Sequence, residues 1–199
     1  PVAALNDGKA AALAELATGH LKGVTNGAAL VLGSGLGGGI IINGKLFQGS
    51  HFQAGELTFL LPLQMEKLDP SLMQETTLSA IGLITKVNEI LASLDLKDGL
   101  LAFKAINAKK EAVYPIFETY CRNLAITILN LQTIFDMETF VLGGGISAQS
   151  ILIEEVNRQF DKVHHEIDFI GKIIKRPKIV ACHHNGTNLI GAAYFLKQG

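Results

Sequence analysis

Cysteine is scarce in this chain, and the little that is present follows no functional spacing. Cys121 and Cys182 are the only two cysteines, and neither has a CxxC neighbour or a metal-ligand spacing. The pattern gives no support to a cysteine-ligated metal, and it favours a reduced, cytoplasmic setting.

The chain also lacks a long uninterrupted apolar run and an excess of basic residues. The longest mostly apolar stretch, residues 28–42, is broken by Ser34 and five glycines, so it does not read as a membrane-crossing helix. Seventeen basic and eighteen acidic residues give a net charge of −1, without the positive excess that phosphate-backbone contacts need. We therefore expect neither a membrane nor nucleic acid as a partner of this segment.

The start of the chain shows no initiator methionine and no charged-then-apolar signal pattern. Residues 2–5 predict a short buried strand, so the sequence reads as entering the fold part-way. With 199 residues, 48% of them hydrophobic and 18% charged, the chain has the size and composition of one substantial globular core.

Segments of strand type and helix type alternate along the chain, which predicts an α/β organisation. Strands are predicted over residues 2–5, 28–32, 40–42, 45–47, 139–142 and 178–181. Helices are predicted over residues 10–17 and 72–94, from about 111 to 135, from about 147 and from about 188. Asn43-Gly44 is a strong turn signal between two of these strands.

A glycine-rich run occupies residues 33–39, between two predicted strands. Gly33, Gly35 and Gly38 satisfy G-x-G-x-x-G, but a dinucleotide-binding loop opens a helix, and here residues 40–42 continue as a strand. No Lys-Ser or Lys-Thr closes the run, which excludes a P-loop. What remains is a glycine hairpin whose backbone N–H groups can approach phosphate oxygens. The alternative is a tight hairpin that uses glycine for positive φ and binds nothing.

A second glycine cluster, residues 143–145, follows the strand predicted over 139–142. Ser147 is the predicted cap of the next helix, and small residues at this point would let a flat nucleotide lie close to the backbone. Taken alone, the cluster is equally well explained as a strand-to-helix turn. The two clusters together favour nucleotide binding.

Asn6-Asp7 stands between a predicted strand and a predicted helix. Either residue would serve as a helix cap, and a carboxylate held there can also take a proton from a sugar hydroxyl. Glu56 follows Gly55, whose backbone freedom would turn the carboxylate towards a substrate, although most acidic loop residues are simply exposed.

Glu75 lies on the helix predicted over residues 72–94, where a solvated face is the default interpretation. The adjacent pair His183-His184 precedes Asn185-Gly186, so a polar turn explains it without a metal.

The order of these motifs resembles that of the ROK (repressor, open reading frame, kinase) family. Asn6-Asp7 with its alanine-rich helix comes first, followed by GSGLGGGIIINGK from Gly33, Ala54-Gly55-Glu56, VLGGGIS from Val141, and Gly191-Ala192-Ala193. Motifs that occur together in this order are more specific than any one of them, and the resemblance covers essentially the whole chain. It implies an actin-like ATPase (ribonuclease H-like) α/β fold with a mixed sheet flanked by helices.

The resemblance implies an ATP-dependent sugar kinase in which Asp7 is the general base. Glu75 gains support because Thr76 and Ser79 match the arrangement with which the family opens a helix that closes on the sugar. The implied sugar contacts are Asn6, Glu56 and Glu75.

The same resemblance implies that the glycine clusters hold ATP with Mg²⁺, residues 33–39 at the phosphates and 143–146 at the adenosine. The implied contacts are Gly33, Ser34, Gly35, Gly37, Gly143, Gly144, Gly145 and Ile146. The γ-phosphoryl group would lie in line with a hydroxyl, most often O6, of a hexose, a hexosamine derivative or a β-glucoside.

Three features depart from the family pattern. Thr58 and Phe59 occupy positions where the family commonly has Gly-His, the His touching the sugar or a zinc ion. Residues 60–73 contain no cysteine where the family has its zinc loop, so no structural zinc is expected. The family's N-terminal lobe, with its Asp-x-Gly-Gly-Thr hairpin, is absent from these 199 residues, so we expect no turnover by this chain alone.

We therefore expect residues 1–199 to be the C-terminal lobe of a ROK kinase, inactive alone, with residues 1–20 as a junction from the end of the N-terminal lobe. We also expect the protein to be a homodimer. Two alternatives stay open. One is the sugar-binding half of a ROK-family transcriptional repressor, since repressors can keep these motifs. The other is a catalytically incompetent sugar- and ATP-binding fragment, a reading that Phe59 and the lost zinc loop favour.

Overall fold

The structure, a computed structural model, describes residues 5–61, 78–166, 168–183 and 187–198. The strands are β1 (Gly27–Leu32), β2 (Leu36–Ile42), β3 (Lys45–Phe47), β4 (Thr139–Gly144) and β5 (Lys178–Ala181). The helices are α1 (Asp7–Thr18), α2 (Ala80–Ile90), α3 (Gly99–Asn107), α4 (Tyr114–Phe135), α5 (Ser150–His165), α6 (Ile170–Ile173) and α7 (Thr187–Gln198), with a 3₁₀ turn at Leu57–Phe59. No helix of the described residues is long and apolar enough to cross a membrane.

The strands form one mixed sheet in the order β3-β2-β1-β4-β5. β1 pairs antiparallel with β2 and parallel with β4, and β4 pairs parallel with β5. Leu32, the last residue of β1, lies opposite Leu36 of β2 and beside Gly144 of β4. The turns that follow β1 and β4 therefore lie side by side at the carboxyl ends of these strands, where ligands of open α/β sheets bind.

Apolar residues cover both faces of the sheet, because successive side chains of a strand point to opposite sides. Ala29 and Val141 pack with α1 on one face. Leu30, Phe140 and Leu142 belong to the larger core on the other face, which α2 to α5 complete. Buried strands between two helical layers explain why these strands read as continuous apolar runs.

Most predicted strands and helices are confirmed, with shifted ends. β2 begins at Leu36, so the second half of the glycine run is strand rather than loop. The strand predicted over residues 2–5 lies outside the described residues except for Leu5, which is in no strand. Residues 72–77 of the long predicted helix also lie outside them, and the described helix, α2, ends at Ile90.

Helix α3 was not predicted. Its apolar residues are consecutive rather than spaced at three and four, and it begins with glycine, which is a poor helix former. Asp98 starts the helix as its N-cap, because its side chain accepts a hydrogen bond from the N–H of Leu101 at 2.9 Å.

A buried carboxylate, Glu15, connects the end of α1 to the segment after β5. Glu15 is 1% exposed, and its two oxygens accept hydrogen bonds from the backbone N–H groups of His20 and His183, both at 2.7 Å. Each donor satisfies one oxygen of a charge that burial alone would penalise. The backbone N–H of His183 thus has a structural role that its place in a polar turn did not reveal.

Replacing Glu15 with alanine should lower the free energy of unfolding by about 2 kcal/mol or more, because a hydrogen bond to a charged acceptor contributes about 1.5–3 kcal/mol. Urea unfolding followed by circular dichroism measures the change. Glu111→Ala, at an exposed site, is the matched control and should stay within about 0.5 kcal/mol of the unsubstituted chain. Equal effects of the two substitutions would contradict the assigned role of Glu15.

Candidate active site

The first glycine turn, residues 33–35, connects β1 to β2. The N–H of Gly33 donates to the carbonyl of Gly35 at 3.1 Å, and neither glycine has a positive φ. A Cβ atom built on Gly33 would have no heavy atom within 4 Å. The alternative interpretation, a hairpin that uses glycine for positive φ, is therefore wrong for this turn. Its backbone is open to an approaching group.

The last two glycines of the run, Gly38 and Gly39, are pressed against other backbone. A Cβ on Gly38 would lie 2.7 Å from the carbonyl oxygen of Gly55, and a Cβ on Gly8 would lie 2.5 Å from the N of Gly38. A Cβ on Gly39 would lie 2.5 Å from the Cβ of Ala12. Gly39 is therefore needed for packing against α1, and Gly38 for packing against the segment that contains Gly55.

The second glycine turn, residues 143–145, crosses from β4 towards α5. Gly144 has φ +97°, and a Cβ there would overlap the carbonyl of Leu32, whereas a Cβ on Gly145 would have nothing within 4 Å. The hydroxyl of Ser147 donates to the carbonyl of Gly144 at 2.8 Å. The prediction that Ser147 caps the next helix is wrong, because α5 begins at Ser150 and Ser147 closes the turn instead.

A cavity of about 510 Å³ lies between the two glycine turns. Gly33 lines it from the first turn, and Gly145 and Ile146 line it from the second. The other lining residues are Leu32, Ala80, Ile81, Ile84, Asp95, Lys97, Asp98, Gly99, Leu100, Phe103 and Gln149. Most of these belong to α2, α3 and the loop between them, and sequence reasoning missed them because no motif marks them and α3 itself was not predicted.

Asn88 holds the loop between α2 and α3 against the cavity. Its side chain is fully buried, and its Nδ2 donates to the carbonyls of Leu96 at 3.2 Å and Asp98 at 2.9 Å. The carboxylate of Asp95 accepts from the N–H of Lys97 at 2.8 Å, which closes the loop further. One buried amide thus fixes several of the residues that line the cavity.

A polar centre lies at the start of α1. Asn6 is the N-cap of the helix, its Oδ1 accepting from the N–H of Lys9 at 2.9 Å, and its Nδ2 donates to Oε1 of Glu56 at 2.5 Å. Asp7 is the exposed first residue of the helix. Gly55 has φ +89°, a conformation that favours glycine. The structure therefore brings Asn6, Asp7 and Glu56 together, and Asn6 is both a cap and part of this centre.

The remaining predicted sugar contact cannot be placed. Glu75 and its neighbour Thr76 lie outside the described residues. Ser79, which completes the arrangement, is the N-cap of α2, since its hydroxyl accepts from the N–H of Gly82 at 2.9 Å. Ser79 also lies next to Ala80, a lining residue of the cavity.

Strand β2 connects the polar centre at the start of α1 to the first glycine turn. Gly38 contacts the first turn of α1, and the first glycine turn ends three residues earlier, at Gly35. Three residues of strand span about 10 Å, at roughly 3.3 Å per residue. The polar centre at Asn6 and Glu56 therefore lies within one small molecule's length of the open glycine turn.

A second cavity, of about 610 Å³, contains no predicted site residue and lies between α4 and α5. The hydroxyl of Tyr114 donates to Glu155 at 3.1 Å, and Arg158 donates to both oxygens of the same carboxylate and pairs with Glu118. Burial and the bond to Glu155 raise the pKa of Tyr114 to about 12. Burial opposes the charge on Glu155, but the hydrogen bonds from Arg158 and Gln159 outweigh it and hold the pKa of this carboxyl below its usual value. The cluster ties the two helices together.

Metal ligands do not cluster in the described part of the chain. No group of three or more His, Cys, Asp or Glu side chains there is arranged to hold a metal ion. The rings of His20 and His183 meet edge to face with centroids 5.6 Å apart. The absence of a structural zinc stays a prediction, because residues 62–77, which include most of the segment it concerns, are not among the described residues.

The fold defines the class of protein. A ROK-family glucokinase from Streptomyces griseus, solved in complex with glucose and AMPPNP, matches with a TM-score of 0.84 at 24% identity, over 100% of this chain and 69% of its own. A ROK family protein from Streptococcus pneumoniae TIGR4, solved in complex with sucrose, matches with a TM-score of 0.81 at 30% identity, over 97% of this chain and 64% of its own. The chain is an α/β domain of the actin-like ATPase class, with a mixed five-stranded sheet flanked by helices.

The sequence profile of the ROK family matches residues 1–199, and the chain belongs to the ROK family. A β-glucoside kinase from Listeria innocua is 30% identical over 206 residues, which cover 100% of this chain and 65% of that protein. The chain therefore spans about 65% of the length of this relative.

Two glycines of one run should respond differently to the same substitution. Gly38→Ala should lower the free energy of unfolding by about 1–3 kcal/mol, because the added methyl group meets backbone that cannot move away. Gly33→Ala should change it by no more than about 0.5 kcal/mol, since the site is open and φ is not positive. Urea unfolding of both variants measures the difference, and equal losses would contradict the division of the run into a packed half and an open half.

Removing the Asn88 amide should loosen the loop that lines the cavity. Asn88→Ala leaves two carbonyls without their donor, which should cost about 2 kcal/mol of unfolding free energy. Hydrogen exchange should also become faster at the amides of residues 95–98 than elsewhere. Asn130→Ala, at an exposed position of α4, is the control for both measurements. Unchanged exchange in residues 95–98 would show that Asn88 does not hold the loop.

Proposed function

We propose that the protein is an ATP-dependent sugar kinase and that residues 1–199 form its C-terminal lobe, with residues 1–20 as the junction from the end of the N-terminal lobe. The observation that carries the proposal is a shared contact with β2: Gly8 and Gly55, close in the chain to Asn6 and Glu56, lie against Gly38, and the open glycine turn leads into the start of the same strand. The β-glucoside kinase and glucokinase relatives support the same class of reaction.

The two glycine turns suit the phosphates and the nucleoside of ATP. Gly33, Ser34 and Gly35 form an open turn whose backbone can approach phosphate oxygens, and Gly37, in β2, is a further proposed contact. Gly145 and Ile146 line the adjoining cavity, and Gly143 and Gly144, which precede them, are proposed contacts of the nucleoside. Exposed apolar side chains at the cavity, 48% for Ile81 and 84% for Leu100, offer a surface to a flat base. Mg²⁺ bound to the phosphates would neutralise charge that develops during transfer.

The polar centre suits a sugar. Glu56, held by Asn6, can accept hydrogen bonds from hydroxyl groups, and Glu75 would add a second carboxylate. Asp7, exposed beside this pair, would accept the proton of the attacking hydroxyl, which we assign to O6 of a hexose, a hexosamine derivative or a β-glucoside. Because phosphoryl transfer depends on positioning and charge neutralisation, the chain's contribution is to hold both substrates.

The activity is tested on the full-length protein, with ATP consumption measured over hexoses, N-acetylhexosamines and β-glucosides. Consumption that depends on one of these sugars is expected. Sugar binding without ATP consumption would instead assign the protein to the sugar-sensing class of ROK repressors or to a catalytically incompetent relative. Residues 1–199 alone should bind but not turn over. The cytoplasmic location and the homodimer stay predictions.

Asp7→Asn separates catalysis from structure. As general base, Asp7 should account for about 10²–10⁴-fold of turnover, so kcat falls by that factor while the sugar dissociation constant, measured by calorimetry, is kept. Asp168→Asn, at an exposed site, controls for the loss of one charge. A comparable loss of turnover and of sugar affinity in Asp7→Asn would assign this residue to the helix start rather than to the chemistry.

A further inference from the structure

Thr58 makes two hydrogen bonds to a single residue of β2. Its hydroxyl donates to the carbonyl oxygen of Leu36 at 3.0 Å and accepts from the N–H of Leu36 at 3.1 Å. Thr58 lies in the 3₁₀ turn that directly follows Glu56. One side chain therefore satisfies both backbone polar groups of Leu36.

Leu36 stands where the hairpin is least supported. It is the first residue of β2 and follows the first glycine turn directly. β3 pairs with β2 only from Ile40 to Ile42, so among the described residues no strand lies beside Leu36 on the outer edge of β2. At the base of the turn, the Thr58 hydroxyl provides the hydrogen bonds to Leu36 that a neighbouring strand would otherwise provide.

The segment that carries Thr58 is fixed at its other end to the polar centre. We call residues 53–58 the Glu56 loop. In this loop Glu56 accepts from Asn6 at 2.5 Å, and Leu57 is buried, 6% exposed. The Glu56 loop thus links the polar centre to the base of the first glycine turn within three residues.

We propose that Thr58 is a positioning residue, which fixes the first glycine turn relative to the Asn6–Glu56 pair. The inference rests on the proposed kinase function. Two glycines in a three-residue turn leave its backbone many conformations. The two hydrogen bonds between Thr58 and Leu36, which we call the clasp, remove much of that freedom. Reacting atoms in a group transfer must be held about 3–3.5 Å apart, so a loose turn costs rate even when both ligands bind.

Thr58 is not assigned a direct contact with either ligand. A hydroxyl has one proton to donate, and that of Thr58 is committed to the Leu36 carbonyl. The effect of Thr58 should therefore be on turnover, with the dissociation constants of the ligands little changed.

The kinetic test compares Thr58→Val, which removes the hydroxyl at nearly constant shape, with Thr58→Ser, which keeps it. In the full-length protein, Thr58→Val should lower kcat by about 10- to 100-fold with KM for sugar and ATP within about threefold, the scale of a 1 Å misplacement. Thr58→Ser should stay within about threefold of the unsubstituted protein. Unchanged kcat in Thr58→Val, or equal losses in both variants, would overturn the proposal.

Hydrogen exchange tests the clasp independently of activity. The Leu36 amide should exchange at least about tenfold faster in Thr58→Val than in Thr58→Ser, because the acceptor of its N–H is gone. The Leu30 amide, inside β1 between two paired strands, is the control and should not change. If Thr58→Val does not fold, Thr58→Ala, which opens the Leu36 groups to water, replaces it.

The outcomes separate the two proposals. Slow exchange at Leu36 in both variants would show that the clasp is absent. Fast exchange in Thr58→Val with normal kcat would show that the clasp exists but does not position the turn, which also overturns the inference. If the unsubstituted protein phosphorylates no sugar, the proposed function fails and the positioning role fails with it, while the exchange data still report on the clasp alone.

Discussion

Three backbone segments meet at Gly38 with no space for a Cβ atom between them. Gly8, in the first turn of α1, lies against it, and so does the carbonyl of Gly55 in the Glu56 loop. Glycine weakens a strand, so its presence inside β2 indicates a close approach that no other residue would allow. That approach fixes where α1 begins relative to β2, and with it the positions of Asn6, Asp7 and Glu56.

The contact at Gly38 also explains which part of the glycine run the sequence could not resolve. The strands around it and the turn at Asn43-Gly44 were predicted from local patterns, although β2 begins at Leu36 rather than at residue 40. Local sequence does not show whether a glycine is kept for an approaching backbone or for an open turn. Gly38 and Gly33 look alike in the sequence, and only the packing of the Glu56 loop and of α1 against Gly38 distinguishes them.

The residues that sequence reasoning missed act over long separations in the chain. Glu15 binds the N–H of His183, Thr58 binds Leu36, and Asn88 holds the loop before α3. No motif reveals these roles, because each is a polar side chain that satisfies backbone groups of another segment, and any of several residue types would look equally ordinary there. The candidate site was predicted from its glycines and acids, whereas the framework that fixes them was not.

The side chain of Asn6 belongs both to the fold and to the candidate site, because it caps α1 and also binds Glu56. An amide has distinct donor and acceptor ends, and here the helix N–H of Lys9 can only donate while the Glu56 carboxylate can only accept. The orientation of the amide is therefore fixed by its partners. The bond leaves Glu56 Oε2 and the outward lone pairs of an exposed carboxylate for other donors. Aspartate at position 6 would keep the cap but would replace the donor that faces Glu56 with a repelling negative charge, so both bonds of this side chain require asparagine.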